Sequence, residues 1–197
     1  MAPEPQELQL AHAARIGSLL NPLAEALGER CLSEYSFANL WLFRREHRYR
    51  FSVGPWPVIS GLTYDGLHHA MPLFVLDQAP RDVIDWLLAT HNCLYPVPAA
   101  QVVCLDLDRH PSSTNHYDAD YLYPADNFRH YRGALLSKKR NLMRQLVREH
   151  TVLPVAYAEP WRLQALHVLA GWMLEKGKPV GGADELACTD ALRKFSR

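Results

Sequence analysis

Between Tyr49 and Val75, three short apolar runs are cut apart by turn-forming residues, and that spacing commits the chain to closely connected strands. The runs are Tyr49 to Val53, Val58 to Leu62 and Leu67 to Val75. Gly54-Pro55, Tyr64-Asp65-Gly66 and Ala79-Pro80 punctuate them. Asp-Gly supplies the positive φ that a tight hairpin needs, so Asp65-Gly66 marks the return between the second and third strands. Further strands are expected at Val102 to Leu107, of buried type, at Tyr117 to Tyr123, which alternates, and at Thr151 to Tyr157.

Helical spacing occupies most of the remaining chain. It runs from Leu8 to Leu20 until Asn21-Pro22 interrupts it, and a short turn from Leu23 to Leu27 ends at Gly28. Ser33 to Arg45, Asp82 to Thr90, Asp126 to Leu135, Ser137 to His150, Trp161 to Glu175 and Ala183 to Arg197 read as helices. Strands in a meander, then joined by helices, imply an α/β or α+β fold: a mixed, largely antiparallel sheet flanked by helices. The expected divisions are a helical segment over 1–31, a main lobe over 32–177, and the start of a linker or second lobe over 178–197. Lys176 to Gly182 is the expected hinge.

Lysine and arginine number 21 against 21 aspartates and glutamates, so whole-chain charge points to neither a nucleic-acid nor an acidic partner. Cys31, Cys93, Cys104 and Cys188 are widely spaced and read as free thiols of a reducing compartment. Met1 to Gln9 carries no basic residue and no apolar core, unlike a secretory signal, and no stretch has the ~20 apolar residues of a membrane span. The expected location is the cytoplasm or the surface of a membrane.

Charge does cluster locally. Arg129, Arg132, Lys138, Lys139, Arg140, Arg144 and Arg148 fall in one stretch with no acidic residue between the first and the last. In the helix from Ser137, Leu142, Met143, Leu146 and Val147 are expected to face inward. Lys138, Lys139 and Arg140 occupy its first turn, where the helix dipole disfavours cations unless an anion is present. A phosphate-bearing partner (tRNA, an anionic lipid headgroup or a coenzyme) would remove the penalty. Arg129, Arg132, Lys138, Lys139, Arg140 and Arg144 are therefore the candidate anion-binding residues. The alternative is a solvated helix face.

Two alternating triads, Asp106-Asp108-His110 and His116-Asp118-Asp120, could bring carboxylates and imidazoles onto a metal if two strands converged, but the wet side of a sheet edge explains them better. No metal is expected. His68 and His69 are adjacent in a strand and must point to opposite faces. Glu34 and Tyr35 precede a helix whose aromatic residues read as core. No Gly-x-Ser-x-Gly elbow, P-loop or Gly-x-Gly-x-x-Gly is present, so nucleophilic catalysis has no positive support.

Two segments carry a resemblance. Ser33 to Phe43 (SEYSFANLWLF) resembles the early signature of a bacterial family of unknown function described as phosphatidylglycerol lysyltransferase C-terminal-like. Asp120-Tyr121-Leu122-Tyr123, followed by Leu135 to Asn141 (LLSKKRN), resembles its second signature. The resemblance spans Leu32 to Arg197. It implies kinship with tandem acyltransferases, among them lipid lysyltransferases and peptidoglycan-bridge aminoacyltransferases, built from two GNAT-like lobes. In those relatives the carboxyl-terminal lobe handles most of the donor, an aminoacyl-tRNA or acyl-coenzyme A. This chain resembles the amino-terminal lobe, and its last helical pattern runs to Arg197 without a cap signal. A missing second lobe, and inactivity of this lobe alone, are accordingly expected. The acetyltransferase pyrophosphate pattern is not matched, since Arg129-His130-Tyr131-Arg132-Gly133-Ala134 has the wrong spacing; coenzyme A binding by this lobe is not expected, and no cofactor is assigned to it. The expected function is that of an acyl- or aminoacyl-transferase-like lobe. The alternative is a non-catalytic lobe whose basic helix contacts nucleic acid, an anionic membrane or a partner lobe.

Overall fold

The computed structural model describes residues 4–28, 31–116 and 119–194. Its centre is a five-stranded sheet in sequential order: β1 (Gln6–Glu7), β2 (Arg50–Ser52), β3 (Val58–Leu62), β4 (His68–Pro72) and β5 (Cys93–Leu94). The first four strands pair antiparallel, and β5 lies parallel to β4. The fold is α+β with a mixed, largely antiparallel sheet, as the strand spacing implies. Asp65-Gly66 makes the expected return: the Thr63 N–H donates to the Leu67 carbonyl at 2.9 Å, and Gly66 sits at φ 83°, where a Cβ would be strained. The short strands β1 and β5 were not expected.

Period-2 alternation gives the sheet two covered faces. Phe51, Ile59 and Met71 meet Ile16, Leu20 and Leu23 of α1 (Ala13–Leu27) and Leu40 of α2 (Phe37–Phe43), all in one buried cluster. On the other face Val58 and Ala70 pack with Leu87 of α3 (Arg81–Thr90). Paired His69 and Gly61 belong to the first face, whereas His68 is exposed, as adjacency in a strand requires.

Pro22 does not divide the first helix: α1 runs through it to Gly28. An interior proline costs a helix roughly 3 kcal/mol. Here the buried stripe of Ile16, Leu20, Leu23 and Leu27 anchors the helix on both sides of the proline. A different override acts at Val102 to Leu107. Pro98 starts the short helix α4 (Ala99–Val102), and the Cys104 and Leu105 amides then donate to the Gln101 and Val102 carbonyls, closing turns where a strand was expected. Buried Gln101 fastens this segment to the core, its side-chain oxygen accepting from the Leu76 N–H at 3.1 Å.

The later part of the chain is helical: α5 (Ala125–His130), α6 (Ser137–Glu149), α7 (Arg162–Glu175) and α8 (Ala183–Lys194). The strand expected at Tyr117 to Tyr123 falls partly outside the described residues, and 119–123 is not a strand. Residues 151–157 form no strand either. Val152, Leu153 and Val155 are exposed, and no described segment lies alongside to complete a ladder. The helix expected over Asp126 to Leu135 stops at Tyr131, which adopts φ 48°, before a 3-10 turn at Ala134–Leu136. Phe195, Ser196 and Arg197, the end of the last expected helix, lie outside the described residues.

Helix α8 docks on α2. Arg44 places its guanidinium 3.9 Å from the Trp41 ring centre and pairs with Asp190 at 2.9 Å. Arg45 stands 3.8 Å from the same carboxylate. The stripe of α6 expected to face inward does not: Leu142, Met143, Leu146 and Val147 are 48–65% exposed. No layer of described residues covers that side, and α6 has no buried residue.

Candidate functional site

The six cations singled out from the sequence lie along one exposed path, from the end of α5 through the turn and into α6. They do not do the same work. Arg129 pairs with Asp126 at 3.2 Å, one helical turn away, so its charge is locally balanced. Arg140 reaches backwards, its Nη1 donating to the Tyr131 carbonyl and to the Gly133 carbonyl at 2.7 Å. Those carbonyls belong to left-handed or glycine-turn residues that leave them outside any helix. Arg140 is thus a clasp that fixes the entry into α6. Arg132, Lys138, Lys139 and Arg144 make no ion pair with described residues. Lys138 and Lys139 sit in the first turn, which contains no acid. The basic path lines neither the cleft beside Ile84 and Asp85 of α3 nor the one beside Glu34 and Asn39.

The two Asp/His triads are dispersed. His110 Nε2 and Arg109 Nη2 each stand 3.4 Å from Asp85 of α3, and Asp118 lies outside the described residues. Among the described residues no three His, Cys, Asp or Glu side chains gather as a metal site would require.

What sequence reading missed is a cleft of ≈ 170 Å³ lined by Ser33, Glu34, Asn39, Phe43, His47, Tyr49, Tyr64 and Tyr95. Each wall has a local cause. The turn before α2 brings in Glu34, and the first turn of α2 supplies Asn39. The turn after α2 brings in His47, whose backbone and ring both join β3. The Leu62 N–H donates to the His47 carbonyl at 2.8 Å, and His47 Nδ1 lies 2.7 Å from the Leu62 carbonyl, as its donor. The hairpin after β3 holds Tyr64 edge-on to His47, with ring centres 4.7 Å apart, and Tyr49 stacks on the same imidazole at 5.1 Å. Tyr95 follows β5, its N–H donating to the Ala70 carbonyl at 3.0 Å.

Electrostatics sets Glu34 apart. Burial raises its carboxyl above the ordinary range, and the charge of Asp120 raises it further, while its own backbone N–H and the Ser33 hydroxyl work the other way. The charge of His47, on the same cleft wall, also lowers it, and Glu34 makes no ion pair with a lysine or arginine among the described residues. Burial also raises the phenols of Tyr49 and Tyr64. Asp120 arrives from 87 residues along the chain, its Oδ2 accepting from the Ser33 N–H at 2.7 Å. The two segments that carried the resemblance, one beginning at Ser33 and the other at Asp120, therefore meet at the rim of this cleft. The available signal was Glu34 and Asn39, two polar residues within an aromatic run, where a core helix would be apolar.

Among known proteins, the family model for phosphatidylglycerol lysyltransferase, C-terminal, matches residues 25–196. No curated protein and no solved structure matches the chain.

Proposed function

Because the chain belongs to the phosphatidylglycerol lysyltransferase C-terminal family, we propose that it serves as one lobe of an acyl- or aminoacyl-transferase-like protein and uses the start of α6 to hold a phosphate-bearing partner. The carrying observation is that Lys138 and Lys139 occupy the first turn of α6, which contains no acid, and make no ion pair with described residues. Cations at that end oppose the helix dipole, and a bound anion would remove the conflict. Such transfer needs little covalent chemistry from the protein. It needs the activated carbonyl held beside its acceptor, and N–H groups directed at the developing oxyanion. In this reading the lobe contributes positioning, and a companion lobe completes the reaction centre and the aminoacyl-tRNA or acyl-coenzyme A site.

The exposed apolar stripe of α6 favours a second reading. A helix with Leu142, Met143, Leu146 and Val147 on one side and cations on another has the form of one that lies in the headgroup region of an anionic membrane. No helix among the described residues is long and apolar enough to cross a membrane.

The double variant Lys138→Glu/Arg144→Glu tests both readings, because neither side chain has an ion pair with described residues to lose. At low salt its affinity for anionic vesicles or for tRNA is expected to fall about thirtyfold or more, at ~1 kcal/mol per cation near a phosphate surface. Unchanged binding to both would end the role of α6. Loss of tRNA binding alone would favour the first reading, and loss of vesicle binding alone the second.

A further inference from the structure

Two of the chain's histidines, far apart in sequence, are brought together at the surface on the sheet face opposite His69. His68 opens β4 and His91 caps the end of α3, and their ring centres stand 5.7 Å apart. His68 is exposed and His91 half-buried, so solvent reaches both.

The backbone fixes both positions. The Asn92 N–H donates to the His68 carbonyl at 2.7 Å, and the His68 N–H donates to the Asn92 side-chain oxygen at 2.8 Å. The His91 N–H donates to the Leu87 carbonyl at 2.9 Å, closing the last turn of α3. Two imidazoles are thus held near each other before any ligand arrives, which is what a preorganised site needs.

The His91 ring is oriented as well. Its Nδ1 lies 3.0 Å from the same Leu87 carbonyl, which can only accept, so Nδ1 carries the proton and Nε2 the lone pair. Metal-ligating histidines are arranged in this way, one N–H given to a carbonyl and the other nitrogen kept for the ion. Burial lowers the His91 pKa, the Leu87 carbonyl works the other way, and the charge of His68 lowers it again, leaving the ring neutral at pH 7. The His68 ring nitrogens make no hydrogen bond with described residues.

The spacing suits a single ion. A zinc–nitrogen bond of ~2.0–2.1 Å puts the ion about 3.2 Å from a ring centre, so two imidazoles on one tetrahedral ion stand roughly 5–6 Å apart, centre to centre. Imidazole suits Zn2+ and Cu2+, whereas Mg2+ and Ca2+ take oxygen ligands.

We propose that His68 and His91 bind one divalent transition-metal ion, Zn2+ or Cu2+, through one imidazole nitrogen each, with water filling the remaining positions. Two protein ligands are fewer than a structural centre uses, so the ion exchanges with solvent and, when present, ties β4 to the end of α3. The inference goes beyond the α6 reading and shares no residue with it.

The test is calorimetric titration of the full chain with zinc chloride, against magnesium chloride. Zinc is expected to bind and magnesium not to bind. His68→Thr keeps a β-forming residue on the strand, and His91→Asn keeps an amide that can donate to the Leu87 carbonyl. Each should weaken zinc at least about tenfold, since even changes to groups that merely support a ligand have that effect. His150→Asn, at an exposed histidine beyond α6, should leave zinc binding unaltered. No zinc binding by the unaltered chain, or unweakened zinc binding by either His68→Thr or His91→Asn, would overturn the proposal. Lys138→Glu/Arg144→Glu should bind zinc as before, so failure of this site and failure of the α6 reading are separately visible.

Discussion

Gly61→Ala is expected to lower the melting temperature by roughly 5–10 °C, a cost of about 2–3 kcal/mol in a domain of this size. The reason is geometric. A Cβ at Gly61 would stand 2.6 Å from the His47 carbonyl oxygen and 2.7 Å from Cδ1 of Tyr49. The first neighbour is backbone, fastened by the hydrogen bond from Leu62, so it cannot swing aside. The second is a ring only 5% exposed, packed between the imidazoles of His47 and His69. Either the strand moves or the cleft deforms. Thermal unfolding measures the cost. A variant with wild-type melting temperature would mean that the turn after α2 yields far more easily than its hydrogen bonds imply.

Acid should weaken the fold through His69. This side chain is 1% exposed, its Nδ1 donates to the Tyr95 carbonyl at 2.6 Å, and burial lowers its pKa to about 4. The neighbouring His47, His91 and His68 act in the same direction. In the unfolded chain the imidazole titrates near ~6.5. Between those values the unfolded state takes up a proton that the folded state refuses. The contribution is therefore fully present above the unfolded pKa and is lost as pH falls towards the folded one, at ~1.4 kcal/mol per pH unit. From pH 6.5 to 5 the loss should be about 2 kcal/mol. His91, also lowered by burial, adds to the slope, and Glu34, raised, opposes it. His69→Asn isolates the imidazole's contribution because the amide can still donate to the Tyr95 carbonyl but does not titrate. Denaturant unfolding at pH 7 and pH 5 should show a less stable variant at neutral pH with a clearly smaller acid loss. Equal acid losses in the two proteins would rule out His69 as the source.

The three central strands, β2 to β4, were legible because they are consecutive and their turns are written in Asp65-Gly66 and Gly54-Pro55. Local composition and tertiary pairing agree there. They disagree at Thr151 to Tyr157, where β-forming residues lie in a segment with nothing beside it to accept a ladder. A strand is a relation between two segments, and one segment's composition cannot supply the other. The same logic applies to Leu142, Met143, Leu146 and Val147, whose helical periodicity was read correctly while the layer they should face is not among the described residues. Glu34 was hidden for a different reason. Nothing near it in sequence announces Asp120, and the aromatic residues after it are indeed partly core: Tyr35 and Trp41 are buried. Only the fold shows that one side of that run packs inward while Asn39 and Phe43 turn to the cleft.

The backward grip of Arg140 limits how strongly ionic strength can govern anything this chain grasps. With that guanidinium spent on carbonyls and Arg129 answered by Asp126, four of the six expected cations remain: Arg132, Lys138, Lys139 and Arg144. Each can displace one condensed counterion, so a single-stranded polyanion held here should show a logarithmic dependence on ion concentration no steeper than about three. A steeper line would mean that the polyanion rests on a surface other than this one.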